Sequence, residues 1–343
     1  LCLLHPDPLL GLSSLEPVVE TKVRSYLAAL AWGVPASLLY RAFYAFCVAV
    51  GQPRPLRTIW LLCTLIHGLL ASALVAGEWG GPPLGALGCG ISNALIGWLA
   101  LAAGAVHMRT SARLRGYRLF DDWRLPRMDM QRALLRLGMP MGVSGFVEIS
   151  AFTFIALFVA QLGTQVVAGH RIVANLAGIC YMLPLSLALS TLPCVGQAAG
   201  ARDWAGARAA ALAGLSVASL VSVLFGAALW LGRTALVDAY TDDPVVRGVC
   251  LSLIAYLAAY QVFDAIQTVA AHALRGYKIT FLPMLVHVAA FWGVGLFGGW
   301  WLAFRAPRPM GAAGFWLASM LSLVFAAVFL GGLLWRVARS RAP

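Results

Sequence analysis

The chain has 343 residues, of which 61% are hydrophobic and 11% charged, and its formal charge is +12. A soluble domain carries about 25% charged residues, so a soluble globular enzyme is excluded: there is too little polar surface to coat one. The charge excess is arginine at the borders of apolar stretches, with no separate basic domain, which makes nucleic acid an unlikely partner.

Nine apolar segments of about twenty residues or more follow one another, the length that crosses ~30 Å of hydrocarbon. They fall at 25–50, 57–76, 84–107, 138–161, 165–197, 206–231, 248–274, 281–304 and 311–335. The expected class is an all-α polytopic membrane protein. Proline and glycine punctuate the spans, as at Gly33-Val34-Pro35, Gly138-Met139-Pro140, Pro184 and Pro193. A membrane helix tolerates these where neighbours satisfy the freed backbone groups. The seven cysteines are an odd number, scattered singly without C-x-x-C spacing, and read as small core residues. Leu1 to Leu12 lack a basic n-region, so no signal peptide is expected there.

One connection breaks the apolar pattern. Residues 108–136 hold Arg109, Arg113, Arg115, Arg118, Arg124, Arg127, Arg132 and Arg136. This Arg-rich connection predicts a division into 1–107, the connection at 108–136, and 137–343. Counting Lys and Arg in alternate connections puts seventeen of the twenty-five cations on one side, the side that also holds the C-terminus. The positive-inside rule makes that side cytoplasmic. The first residue then lies outside.

An internal repeat accounts for that placement. Glu16-Pro17-Val18-Val19 is similar to Asp243-Pro244-Val245-Val246, and Gly85-Ala86-Leu87-Gly88 to Gly311-Ala312-Ala313-Gly314. The two offsets differ by one residue, so the first three segments correspond to the last three. The middle three then require partners before residue 1: roughly a hundred residues with three further helices, giving twelve spans in two six-helix halves, a recurring plan in secondary transporters.

Among the thirteen acids, only Glu148 and Asp264 lie well inside apolar spans. A carboxylate at mid-span costs about 2.5–3.5 kcal/mol on insertion scales, so both need a compensating role. One is a proton or cation site; the other is structural, through hydrogen bonds or a salt bridge to Arg41 or Arg171. Tyr260 and Gln267 share a helical face with Asp264. They either line a cavity or hold the helix against a neighbour. His67, Asn93, His170, Asn175, Gln197, His272 and His287 are weaker candidates, Asn175 being kept with Gln267 as a candidate for cavity lining. Neither G-x-x-x-x-G-K-[ST], H-E-x-x-H nor G-x-S-x-G occurs, so primary pumping and membrane hydrolysis lose ground. Gly295-x-x-x-Gly299 permits close helix contact, and Trp300-Trp301 beside it suit an interfacial belt.

Several stretches, in order, resemble one family. They are Arg136-Leu137-Gly138-Met139-Pro140 with Glu148, Val167-Ala168-Gly169-His170, Leu183-Pro184-Leu185-Ser186, Ala273-Leu274-Arg275-Gly276-Tyr277-Lys278 and Gly311-Ala312-Ala313-Gly314-Phe315-Trp316. Together they resemble the multidrug and toxic compound extrusion (MATE) transporters, in the NorM-like branch. The chain corresponds to the fourth through twelfth helices of that fold. The resemblance implies a V-shaped pair of six-helix lobes in a bacterial inner membrane, exporting amphipathic, often cationic compounds in exchange for Na⁺ or H⁺, without a cofactor or catalytic residues. It places the coupling-cation site on Glu148, Asp264 and Tyr260. Two departures stand out: the family's acid in the first helix has no counterpart, and Arg171 replaces the Gln common after Gly-His. The competing readings are a lipid-linked oligosaccharide flippase, which the shortage of mid-span cations disfavours, and a non-transporting remnant.

Overall fold

The computed structural model describes residues 6–7, 17–78, 81–117 and 127–340. Arg118 and Arg124 of the Arg-rich connection, and Glu16 of the first repeat motif, lie outside the described residues. Among the described residues all regular structure is helical, as the composition predicts. The nine long helices are α1 (Pro17–Ala49), α2 (Arg54–Ala76), α3 (Gly85–Thr110), α4 (Met128–Val159), α5 (Thr164–Gly200), α6 (Trp204–Leu231), α7 (Pro244–Gly276), α8 (Phe281–Phe304) and α9 (Ala312–Ser340). Eight of them are long and apolar enough to cross a membrane. The exception is α1, which occupies the first expected span but carries Glu20, Lys22 and Arg24 in its first two turns and Arg41 farther along.

The helices outrun their apolar segments because local signals set their ends. Asp203 caps α6, accepting from the Gly206 amide at 2.8 Å, and Asp243 caps α7, accepting from the Val245 and Val246 amides at 2.8 and 3.3 Å with Pro244 next in line. At the start of α4, Met128 to Leu137 are good helix formers with Asp129 in the first turn. Arg132 and Arg136 therefore stand on helix, within the stretch read as the Arg-rich connection. Many large apolar side chains face outward, among them Leu61, Phe146 and Leu224. In lipid this is ordinary burial, since the solvent is as apolar as the side chain.

The chain forms two units, Leu1–Leu125 and Pro126–Pro343. In the first, α3 receives both α1 and α2. Backbones approach closely there: a Cβ on Gly33 would stand 2.7 Å from Ala94 Cα, and one on Gly88 2.5 Å from the Leu74 carbonyl oxygen. Small residues give this proximity without a hydrophobic driving force. Trp98 Nε1 donates to the Trp32 carbonyl at 3.0 Å, and Tyr40, Phe43, Cys47 and Ile96 fill the space between the helices.

In the second unit α7 is central, packed by α5, α6 and α9. From Tyr260 to Leu274 it is buried almost all round. The last three helices repeat the pattern of the first three, since α9 receives both α7 and α8. The agreement reaches single residues. Gly85 and Gly311 both take left-handed φ, +53° and +56°, at the start of their helices. Leu84 donates its amide to the Leu74 carbonyl and Met310 donates to that of Leu302, each at 3.0 Å. Gly88 and Gly314 then meet the same backbone stretches, the Leu74 carbonyl and the Leu302–Ala303 peptide. The repeat inferred from two short motifs is a repeated corner.

The middle of α8, Val288–Phe297, is a π-helix. The Gly295-x-x-x-Gly299 motif faces α9: a Cβ on Gly299 would stand 2.6 Å from Phe315 Cδ1, and one on Gly295 3.3 Å from Ser322 Oγ.

Candidate coupling site

Between α4, α5, α7, α8 and α9 lies a cavity of about 310 Å³. Its walls are mostly apolar, including Phe152, Phe291, Phe315 and Leu323, and its polar groups are few: Glu148 from α4, His170, Arg171 and Tyr181 from α5, Tyr260 and Asp264 from α7, and Ser319 from α9. The two acids singled out by their position in apolar spans thus reach one chamber from separate helices. Asp264 is buried and Glu148 half-buried, and the field of Asp264 reaches Glu148. Two carboxylates in a low-dielectric chamber repel, and a shared cation or proton relieves that repulsion.

Tyr260 stands one turn before Asp264, its ring stacked on Trp316 with centroids 6.0 Å apart and planes 9° apart. Trp316 Nε1 in turn donates to His170 Nδ1 at 3.2 Å. The indole N–H can only donate, so His170 accepts on Nδ1 and is neutral, its proton on Nε2. This aromatic wall joins α5, α7 and α9 through residues 146 positions apart, and nothing in the local sequence pattern announces it. Tyr181 also escaped the sequence reading. It lines the cavity together with Glu148.

Gln267 and Asn175 are not among the cavity-lining residues. Gln267 is buried behind Asp264: its Nε2 donates to Asp264 Oδ1 at 3.0 Å and to Thr268 Oγ1 at 2.9 Å. Asn175 is exposed and accepts from the Tyr240 hydroxyl at 3.0 Å. It thereby ties α5 to the turn before α7, where Arg247 Nε grips Asp238 Oδ1 at 2.6 Å and holds that carboxyl below its ordinary pKa. The sequence also offered Arg41 or Arg171 as ion-pair partners for the acids. Arg171 reaches the cavity wall, while the cation whose field acts on Glu148 is Arg275. Arg275 Nη1 lies 3.1 Å from His272 Nε2, and His272 Nδ1 lies 2.8 Å from the Thr268 carbonyl. A carbonyl only accepts, so His272 carries its proton on Nδ1 and takes the Arg275 N–H on Nε2. Among the described residues no group of three His, Cys, Asp or Glu side chains is placed to hold a metal ion.

A fold of paired helical triplets and a carboxylate-bearing chamber walled by apolar helices define a secondary-transporter architecture. The MatE family model matches residues 140–301. The chain is 52% identical over 340 residues to a probable multidrug resistance protein NorM of Aromatoleum aromaticum, covering 98% of this chain and 73% of that protein. A probable multidrug resistance protein NorM of Chromobacterium violaceum is 36% identical over 344 residues, covering 99% and 74%. Among solved structures, the eukaryotic MATE transporter AtDTX14 superposes with a TM-score of 0.87 at 20% identity, over 99% of this chain and 75% of that one. An outward-facing multidrug resistance MATE family transporter of the MOP superfamily gives 0.87 at 15% identity, over 100% and 75%. The chain belongs to the MatE family, in its NorM-like branch.

Proposed function

We propose that the protein exports amphipathic, often cationic small molecules by antiport against Na⁺ or H⁺, with Glu148, Asp264 and Tyr260 as the coupling-cation site. It works in the bacterial inner membrane with its C-terminus in the cytoplasm. The single observation that carries this reading is the meeting of two mid-membrane acids from α4 and α7 in one aromatic-walled chamber. The NorM names of its relatives support the export of drugs.

The chemistry follows from charge balance. A chamber holding two carboxylates is stabilised by whichever cation enters it. A proton or Na⁺ satisfies the acids from one side of the membrane, and its departure restores their negative charge. Aromatic faces such as Phe152, Tyr260 and Trp316 suit flat apolar cations. A ligand that binds one conformation better shifts the population toward it, so coupling requires only that ion and drug prefer opposite-facing states.

The test is Asp264→Asn in the protein as its gene encodes it, with Glu148→Gln beside it. Each amide keeps the shape of the acid but takes up no proton and neutralises no Na⁺. Both variants should reach the membrane at normal levels and lose ion-driven dye efflux. Wild-type drug resistance from Asp264→Asn at normal expression sinks the assignment.

A further inference from the structure

Behind the cavity, the side chain that touches Asp264 is itself held from the other end. Gln267 presents its amide nitrogen to Asp264 Oδ1 and Thr268 Oγ1, and its Oε1 meets His287 Nε2 at 3.2 Å. An amide oxygen only accepts, so His287 carries its proton on Nε2. The opposite ring nitrogen, Nδ1, is buried and has no hydrogen-bond partner. That is the arrangement of a neutral ring with an idle lone pair.

An amide can be reversed by half a turn, and the network decides which way it lies. Reversal would put Oε1 against Asp264 and the NH₂ group against His287 Nε2. The first contact sets acceptor against acceptor while Asp264 is ionised. The second sets N–H against N–H unless His287 moves its proton to Nδ1. Asp264 and His287 therefore enforce the same orientation from opposite ends. Further polar groups around them are Thr268, His272 and Arg275 on α7, Tyr181 on α5 and Glu148 on α4. The fields of Arg275 and His272 reach His287, and neither replaces its bond to Gln267.

The two candidate coupling ions meet this arrangement differently. A protonated Asp264 still offers its carbonyl oxygen to the Gln267 N–H and turns its O–H to the cavity. Na⁺ is a hard ion that takes oxygen ligands, and at Asp264 Oδ1 it finds an N–H hydrogen instead. To gain the Gln267 oxygen it must reverse the amide, which either breaks the bond to His287 or drives the His287 proton onto the buried, partnerless Nδ1. We infer that His287, acting through Gln267, is a positioning residue that biases the Asp264 site toward a proton and against Na⁺. The inference rests on the reading of Asp264 as a coupling carboxylate.

Proteoliposomes containing the protein as its gene encodes it, loaded with a cationic dye, separate the two drives: a Na⁺ gradient at equal pH, and a pH gradient without Na⁺. The wild type should respond more strongly to the pH gradient. His287→Leu frees the amide and should raise the ratio of Na⁺-driven to H⁺-driven efflux by roughly tenfold, the worth of about one hydrogen bond. His287→Gln, whose amide can still donate to Gln267 Oε1, should stay close to the wild type. An unchanged ratio in His287→Leu, with Asp264→Asn silent under both drives, overturns the role of His287 while leaving the coupling site standing. If Asp264→Asn still transports under both drives, the site reading fails and this inference with it. Should His287→Leu not reach the membrane, ¹⁵N-histidine NMR of the wild type decides: a neutral His287 protonated on Nε2 supports the proposal, and an Nδ1–H or doubly protonated ring overturns it.

Discussion

A tyrosine beside a buried acid can serve through its hydroxyl or through its ring, and at Tyr260 the two can be separated. Its ring completes the stack with Trp316, while its hydroxyl is the part that offers an oxygen to a coupling Na⁺ or proton. Tyr260→Phe keeps the stack and removes the oxygen. It should slow ion-driven efflux per molecule by roughly three- to tenfold, the worth of about one hydrogen bond, without lowering membrane expression. Tyr260→Ala should instead lower thermal stability, by about 3 kcal/mol, because the ring leaves a void. Equal efflux from wild type and Tyr260→Phe at equal expression would exclude the hydroxyl from coupling. Residues of this kind differ in how readily a sequence betrays them. Glu148 and Asp264 stand out because a charge in an apolar run is costly wherever the chain goes. His170 and Trp316 do not, since each is an ordinary residue on its own helix and their bond spans 146 positions. Gln267 sits on the expected face of α7 but serves Asp264 from behind, and only the positions of α8 and His287 reveal that.

At the scale of the helices, glycine carries different information at different places. Gly88 and Gly314 stand where a Cβ would press on backbone atoms of Leu74 and of Leu302 and Ala303, at 2.5 and 2.9 Å, whereas Gly248 in α7 has open space around it. Gly88→Ala and Gly314→Ala should each destabilise the protein by about 1–3 kcal/mol, as overpacking does. Gly248→Ala should be neutral or stabilising by up to about 1 kcal/mol, because alanine is the better helix former. Melting of the purified protein in detergent reads all three. A drop for Gly248→Ala equal to the others would mean that the cost comes from helix propensity and not from contact. These corners explain why the repeat could be read from short motifs: a left-handed turn followed by a close approach demands glycine twice, in fixed spacing. The π-helix of Val288–Phe297 gave no such sign. That stretch is apolar on every side, so its periodicity marks no face along which a change of pitch would show. The first helix forms over the expected segment between 25 and 50, but Arg41 and the charged first turns make it less apolar than the other eight.

At the scale of the whole molecule the open quantity is orientation, and arginine placement determines what to expect. The end of α3 carries Arg109 and the connection after it Arg113, and the connection before α7 carries Asp242 and Asp243. Three helices, α4 to α6, separate the two connections, so if each crosses the membrane once they open on opposite sides. Lysine and arginine near helix ends are retained on the cytoplasmic face while acids have little influence, so the expectation is Ser111 inside and Asp242 outside. In a background where the exposed Cys194 is replaced by serine, Ser111→Cys should react with a membrane-impermeant maleimide only after the inner membrane is opened, and Asp242→Cys should react in intact cells. The two sites test each other. Labelling of Ser111→Cys in intact cells with protection of Asp242→Cys would invert the topology. The end of α7 that carries Arg275 and Lys278, expected in the cytoplasm, would then face outward. Labelling of both sites from the same side would mean that an even number of crossings separates them, and one of α4 to α6 would have to be withdrawn as a span.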